Sequence, residues 1–249
     1  MKKIDLFIKE KLLFGNFFFK KIYFFFNKYK SLFISKKSSY SQGSMDLVLL
    51  DVFKNINNGI YIDVGCQHPI KNNNTYLLHK KGWSGVNIDL DKHNIEIFDY
   101  NRPNDINLEC AVSDKIEEVD LYFYHVKSPI NTLNKSVSDY QAANVNKIIK
   151  ITTDTLNNVL EKTTYSNKKI DLLTIDVEGN ELKVLKGLDL NKFSPFLIVV
   201  EFLDLDSKKF EINYNNLNNV LKSELYIYLL SKNYKLVNWV NGDLVFVKA

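Results

Sequence analysis

One segment constrains this chain more than any other. Residues 170–177, IDLLTIDV, are almost continuously apolar until Asp176. Such a run fits a central parallel strand buried on both faces. Residues 196–200, FLIVV, repeat the pattern and end at Glu201. Between them, residues 181–188 read as a helix, with Leu182, Leu185 and Leu188 turned inward and Gly187 near its end. Strand, acid, helix, strand, acid is the grammar of an open α/β sheet.

The same grammar runs through the earlier part of the chain. Residues 61–64 form a short β-prone run that stops at Gly65, and residues 75–81 read as a helix with Asn74 as N-cap and Gly82 just past the end. Residues 86–89 give a second strand, 95–100 a short helix and 106–112 a third strand. Residues 119–124 and 148–152 look like added strands, and 217–231 like one longer amphipathic helix. Residues 234–240 and 244–247 flank Asn241-Gly242-Asp243, a strong hairpin signal. The predicted fold class is therefore α/β: a Rossmann-like, doubly wound, mostly parallel sheet closed by a C-terminal antiparallel hairpin.

The first 37 residues differ from the rest. They hold ten Lys against Asp5 and Glu10, whereas the remaining residues carry 23 basic and 27 acidic side chains. Aromatic triplets at 17–19 and 24–26 are interrupted by Lys20 and Lys21. Lys2, Asp5, Lys9, Asn16, Lys20, Asn27 and Lys30 recur near the helical period and form one polar stripe. No apolar run approaches the roughly 18 residues of a membrane span. The expectation is a basic, aromatic helical arm over 1–37, a polar linker over 36–44 and a body over 38–249. The arm either contacts a membrane surface or a partner protein, or packs on its own body.

Composition removes several function classes. At 45% hydrophobic and 25% charged residues, the chain is globular. Cys66 and Cys110 cannot build a disulfide framework or a four-cysteine zinc site, which points to a reducing, cytoplasmic setting, with the arm placing the protein peripherally at the inner face of the membrane. Arg102 is the sole arginine, so reading of base edges, and a nucleic-acid partner with it, is not expected.

In open α/β sheets, ligands bind outside the carboxyl ends of the strands. The first strand ends in Asp63-Val64-Gly65-Cys66-Gln67-His68-Pro69, where a carboxylate can meet an ammonium group and Gly65 permits close backbone approach. A single glycine does not make a dinucleotide fingerprint. The second strand ends at Asp89, 24 residues after Gly65, where an acid can accept ribose hydroxyls. Asp89-Leu90-Asp91 also spells an acid-x-acid pattern able to bind a metal and a nucleotide-sugar diphosphate. Ser113 and Asp114 follow the third strand beside the nucleoside end of such a ligand. Asp176, Glu178 and Glu181 lie within six residues at the mouth of the central strand. Glu181 reads as a capping acid. Asp176, Glu178 and Glu201 could hold a Mg²⁺-type ion or serve as a base. His68 is a second candidate base, and Cys66 a residue that packs or lines the pocket.

Four segments together carry a family resemblance: YIDVGCQHP, NTYLLHKKGWSGVNIDLD, RPNDINLECAVSD and DLLTIDVEGNELKVLKGL. The stretch from Tyr61 to Glu201 resembles the FkbM-type methyltransferases, a branch of the class I S-adenosylmethionine-dependent enzymes. The resemblance implies S-adenosylmethionine as cofactor. Asp63 and Gly65, with Cys66 and Gln67, would lie at its methionine end, Asp89 and Leu90 at the ribose, and Ser113 and Asp114 near adenine. Asp176 would face the methyl group and the acceptor, with Glu178 and Glu201 nearby. The acceptor it implies is a hydroxyl, often on a sugar of a surface glycan or on a secondary metabolite. At Gln67-His68-Pro69 this chain departs from a pattern in which many members carry a small residue and another glycine. Two other readings remain open: a glycosyltransferase using Asp89-Leu90-Asp91, and a non-catalytic docking protein of a glycan-assembly complex.

Overall fold

The apolar runs build one central sheet. The computed structural model describes residues 9–34, 39–141, 143–203 and 217–249. Among them the strands are β1 (Ile60–Val64), β2 (Ser84–Asp89), β3 (Ile106–Glu109), β4 (Ala111–Ser113), β5 (Glu118–Phe123), β6 (Lys147–Thr155), β7 (Leu172–Ile175), β8 (Leu197–Glu201), β9 (Tyr234–Val240) and β10 (Asp243–Lys248). Seven of these form a sheet in the order β3-β2-β1-β7-β8-β10-β9. The first five are parallel, and β10 is antiparallel to both neighbours. Strands β1, β7 and β8 are apolar and buried because both faces are covered. The chain reverses its winding between β1 and β7, so a crevice opens there at the carboxyl ends.

Three expectations are corrected. The predicted third strand divides: Cys110 N–H still donates to the Asp89 carbonyl (2.9 Å), but Ala111–Ser113 moves to a second sheet, β4-β6-β5. Apolar alternation is the same in either sheet, so periodicity does not reveal the transfer. The predicted helix over 217–231 is two, Leu217–Lys222 and Glu224–Ser231, because Ser223 leaves the helix and its hydroxyl caps the Tyr226 N–H at 3.1 Å. Part of the predicted linker is built structure. Ser39, Tyr40 and Ser41 all donate to the buried Asp46 carboxylate at the start of an unforeseen helix, Met45–Val52.

The arm packs on the body through its polar stripe. Its helix, Phe17–Ile34, follows a break at Gly15, with Asn16 Oδ1 accepting from the Phe19 N–H at 3.2 Å. Lys20 pairs with Glu96 (2.7 Å), Lys9 Nζ donates to the Val126 carbonyl (2.7 Å), and Asn27 Oδ1 lies 2.8 Å from His68 Nε2. Leu13 and Phe24 add a small apolar contact with Ile97. Phe17, Phe18, Phe25 and Phe26 point outward, Phe17 being 74% exposed. Lys2 and Asp5 of the stripe lie outside the described residues. Among the described residues, no helix is long and apolar enough to cross a membrane.

The lone arginine sits beneath the carboxyl end of β1. Arg102 is 1% exposed, and its terminal nitrogens donate to Tyr61 Oη (3.2 Å), Thr75 Oγ1 (2.8 Å), Asn73 Oδ1 (2.7 Å) and the Pro69 carbonyl. Two of those acceptors pass hydroxyl protons to buried carboxylates: Thr75 to Asp63 (2.8 Å) and Tyr61 to Asp105. The charge is thus balanced through two hydroxyl relays. Replacing Arg102 by Leu leaves these carboxylates uncompensated. The expected cost is about 3–5 kcal/mol in urea unfolding. Arg102→Lys should recover little of it, since one ammonium cannot replace the guanidinium fork. A loss below about 1 kcal/mol would show that the network bears no such weight.

Candidate active site

Gly65 sets the closest approach at the crevice. Its φ is +79°, and a Cβ placed there would stand 1.7 Å from the Asp176 carbonyl oxygen, so only glycine lets the ends of β1 and β7 meet. Gln67 (φ 49°) and Glu178 (φ 56°) also adopt left-handed backbone on the cavity wall. Non-glycine strain of this kind persists where the surroundings over-determine it. For Gln67 the determinant is its N–H, which donates to Asp89 Oδ2 at 2.9 Å. For Glu178 it is Thr132, whose hydroxyl donates to the Glu178 carbonyl at 2.7 Å, and Asn134, whose amide does the same to Gly179 at 2.7 Å.

A slot runs along these ends. Gly65, Gln67, Asp89, Leu90, Asp176 and Glu178 all line it. Asp89 Oδ1 accepts from the Asp91 N–H (2.7 Å) and Asn94 Nδ2 (3.1 Å), and Oδ2 from Gln67. A carboxylate offers about four acceptor positions, so roughly one is left for the slot. Burial pushes the Asp89 carboxyl up to about 6. Ile88, Val112 and Leu133 supply apolar walls.

Other predicted residues stand elsewhere. Asp63 lies behind the slot and accepts from Asn73 Nδ2 (3.1 Å) and Thr75; it orders the loop and does not line the cavity. Cys66 packs with Ile95 and Phe98, and burial pushes its thiol well up. Ser113 and Asp114 lie beyond the cavity, where Cys110, Ala111 and Val112 take the expected place. His68 is not placed as a base. Its Nδ1 accepts two backbone N–H groups, from Ile70 (3.1 Å) and Lys71 (3.0 Å), which leaves Nε2 to donate to Asn27. Burial, with Lys127, Lys71 and Arg102 nearby, drives the imidazole down to about 3. The acid-x-acid pattern lines the slot, but its second acid is engaged by the fold. Asp91 caps the helix Lys92–Asn101 through the His93 N–H (2.9 Å) and accepts the Lys127 N–H on its other oxygen.

Carboxylates gather where the slot opens outward. Oxygens of Asp176, Glu178 and Glu201 lie within 4.8 Å of one another. Asp176 is open to the cleft, yet desolvation raises its carboxyl to about 6, with a hydrogen bond from Glu201 opposing the rise and the Asp63 charge adding to it. Burial, then Asp176 and Glu181, lifts Glu178 to about 8. Glu201 is pushed well up, chiefly by burial. Asp243 joins the group because the Asn241-Gly242 turn sets it opposite Glu201 in the β8–β10 ladder. Burial raises it to about 7. Sequence reasoning missed Asp243, although that hairpin turn was the available signal. Glu181 caps the turn as expected, accepting from the Val177 (3.0 Å) and Gly179 (2.9 Å) N–H groups.

A family model, the methyltransferase FkbM domain, matches residues 51–236. The chain belongs to the FkbM methyltransferase family. This FkbM protein is therefore an S-adenosylmethionine-dependent methyltransferase, and S-adenosylmethionine is the cofactor its family implies. No curated protein matches it. Among solved structures it is similar to a TehB-like SAM-dependent methyltransferase from Corynebacterium glutamicum, at 14% identity and TM-score 0.45, covering 90% of this chain and 96% of that one. It is also similar to a protein from Pyrococcus horikoshii described provisionally as an RNA methyltransferase, at 10% identity and TM-score 0.41, covering 90% and 98%. The slot suits the cofactor. Asp89 has acceptor capacity left, the buried Asn94 Oδ1 on the slot wall has no hydrogen-bond partner, and apolar side chains can cover a purine.

The raised acids of this methyltransferase make stability depend on pH in a defined direction. A carboxyl raised in the folded state contributes fully below its unfolded value and loses that contribution as pH rises through its folded value. For Glu178 this window runs from about 4.5 to about 8. Glu178→Gln should shrink the fall in urea midpoint across that window. An identical pH profile in wild type and variant would contradict the raised carboxyl.

Proposed function

We propose that the protein is an O-methyltransferase acting on a sugar hydroxyl of a surface glycan or on a hydroxyl of a secondary metabolite. The observation that carries this reading is Asp176, which lines both the slot and the acid-rich outer cleft. When bound, S-adenosylmethionine supplies an already activated methyl group. Asp89, Gln67 and Asn94 would hold its nucleoside, and the close approach at Gly65 would set Asp176 beside its methionine end. What the protein then adds is alignment and proton removal. Asp176, raised only to about 6, is ionised at neutral pH and can accept a hydroxyl proton. Glu178, raised to about 8, retains its proton and can donate a hydrogen bond to a neighbouring sugar oxygen, while Glu201 donates to Asp176. A crowded acidic cleft suits a neutral polyol better than a nucleic-acid backbone.

The spacing of Asp176, Glu178 and Glu201 supports a second use, as ligands of a Mg²⁺-type ion that would acidify the acceptor hydroxyl. Calorimetry with S-adenosylhomocysteine and Mg²⁺ tests the cofactor placement and the ion. Wild type should bind with or without Mg²⁺, and Asp89→Ala should weaken binding roughly tenfold or more. Unchanged affinity in Asp89→Ala would sink the cofactor placement. A Mg²⁺ heat abolished by Glu178→Gln supports the ion, and no heat in either protein rejects it.

The outward rings of the arm favour peripheral attachment to an anionic bilayer surface. Phe17, Phe18, Phe25 and Phe26 are exposed on a segment with ten Lys and two acids in its first 37 residues. Vesicles containing phosphatidylglycerol should bind the full chain and release most of it when Phe18 and Phe25 become Ser. Equal binding by both proteins would remove this attachment.

A further inference from the structure

A second cavity, of about 450 Å³, lies between the arm and the loop after β1. Its charge is opposite to that of the cleft beside it. Lys9, Lys30, Lys71 and Lys127 line it, and among the described residues no carboxylate side chain does. Among the described residues, none of the four lysines is in an ion pair within 4.0 Å. Lys127 is the most telling. It is 8% exposed, its backbone is left-handed at φ 58°, and among the described residues its Nζ hydrogen-bonds only to the Tyr23 hydroxyl, at 3.3 Å, and lies 5.2 Å from that ring's centre. Asp91 and Asp89 offer partial compensation from a distance, Asp91 meeting Lys127 through its backbone N–H rather than its ammonium. Burial and the neighbouring Lys9 lower the Lys127 ammonium to about 7, so the cavity holds positive charge at a cost. The Ser31 hydroxyl adds a donor on the same wall, beside a neutral His68 whose Nε2–H is held by Asn27.

We propose that this cavity binds a phosphoryl group carried by the methyl acceptor. A phosphoryl group offers the two negative charges and several acceptor oxygens that lysines without carboxylate partners and hydroxyl donors would satisfy. The cavity also connects with the reacting cleft: Gln67 and Asn72 line both. One molecule would thus place a neutral hydroxyl among the carboxylates and its phosphoryl group among the lysines. This inference rests on the methyltransferase reading of the cleft and adds the substrate class. It also gives the arm's polar stripe a role as one wall of the acceptor site.

The test is calorimetric titration of inorganic pyrophosphate into the full chain saturated with S-adenosylhomocysteine. Wild type should bind pyrophosphate, and the solvent-edge pair Lys30→Ala/Lys71→Ala should weaken it roughly tenfold. That pair should leave S-adenosylhomocysteine affinity unchanged, and Lys235→Ala on β9 should alter neither. Lys127→Met, checked for folding by circular dichroism, should abolish the heat. Displacement of pyrophosphate by vesicles containing phosphatidic acid would indicate a lipid-borne phosphoryl group; retention would indicate a soluble one, and either upholds the subsite. Absence of pyrophosphate binding at millimolar concentration, or equal binding by wild type and the Lys30/Lys71 variant, overturns the subsite. Failure of wild type to bind S-adenosylhomocysteine would instead overturn the methyltransferase site.

Discussion

A buried guanidinium holds this site together. Arg102 cannot lose its proton, so its charge must be matched where it lies. The match is made through hydroxyls, Thr75 toward Asp63 and Tyr61 toward Asp105. These contacts tie the loop after β1 to the strand it leaves. With that loop fixed, Gly65 crosses close to Asp176, and Gln67 is held by Asp89 in a conformation it would not otherwise favour. The cavity wall therefore depends on an interaction one layer beneath it. Asp63 belongs to that lower layer, which explains why a strand-ending acid can be essential to a pocket it does not line.

The pocket's electrostatics divide sharply. The strand ends bring Asp176, Glu178, Glu201 and Asp243 together, and desolvation raises all four carboxyls, leaving Asp176, open to the cleft, as the one ionised most readily. Across Gln67 and Asn72 the lining turns to lysine. Such a pair of neighbouring fields is costly to assemble without ligands. The proposed acceptor relieves both, with hydroxyls on one side and a phosphoryl group on the other. The arm contributes to this economy: its polar face lines the lysine cavity, and its aromatic face stays exposed.

Much of the fold was legible because its signals are local. The runs ending at Asp176 and Glu201 became β7 and β8, and Asn241-Gly242 marked the turn between β9 and β10. The FkbM motifs were legible too, since they cluster at strand ends. What escaped depends on contacts across long separations. Nothing near residues 106–112 tells which sheet each part joins. The helix Met45–Val52 was hidden beside a serine-rich stretch whose hydroxyls turn inward onto Asp46. His68 looked like a free base until Ile70 and Lys71 were seen to occupy its lone pair. Lys127, Arg102 and Asp243 gained meaning only from partners far away in the chain.

The most direct test of this account is where the cofactor product sits. A crystal structure of the protein with S-adenosylhomocysteine should show the ribose at Asp89, the purine against Val112 and Leu133, and the sulfur turned toward Asp176. A ligand bound away from the β1–β7 crevice, or one whose sulfur faces the lysine cavity with Asp176 remote from it, would contradict the assignment.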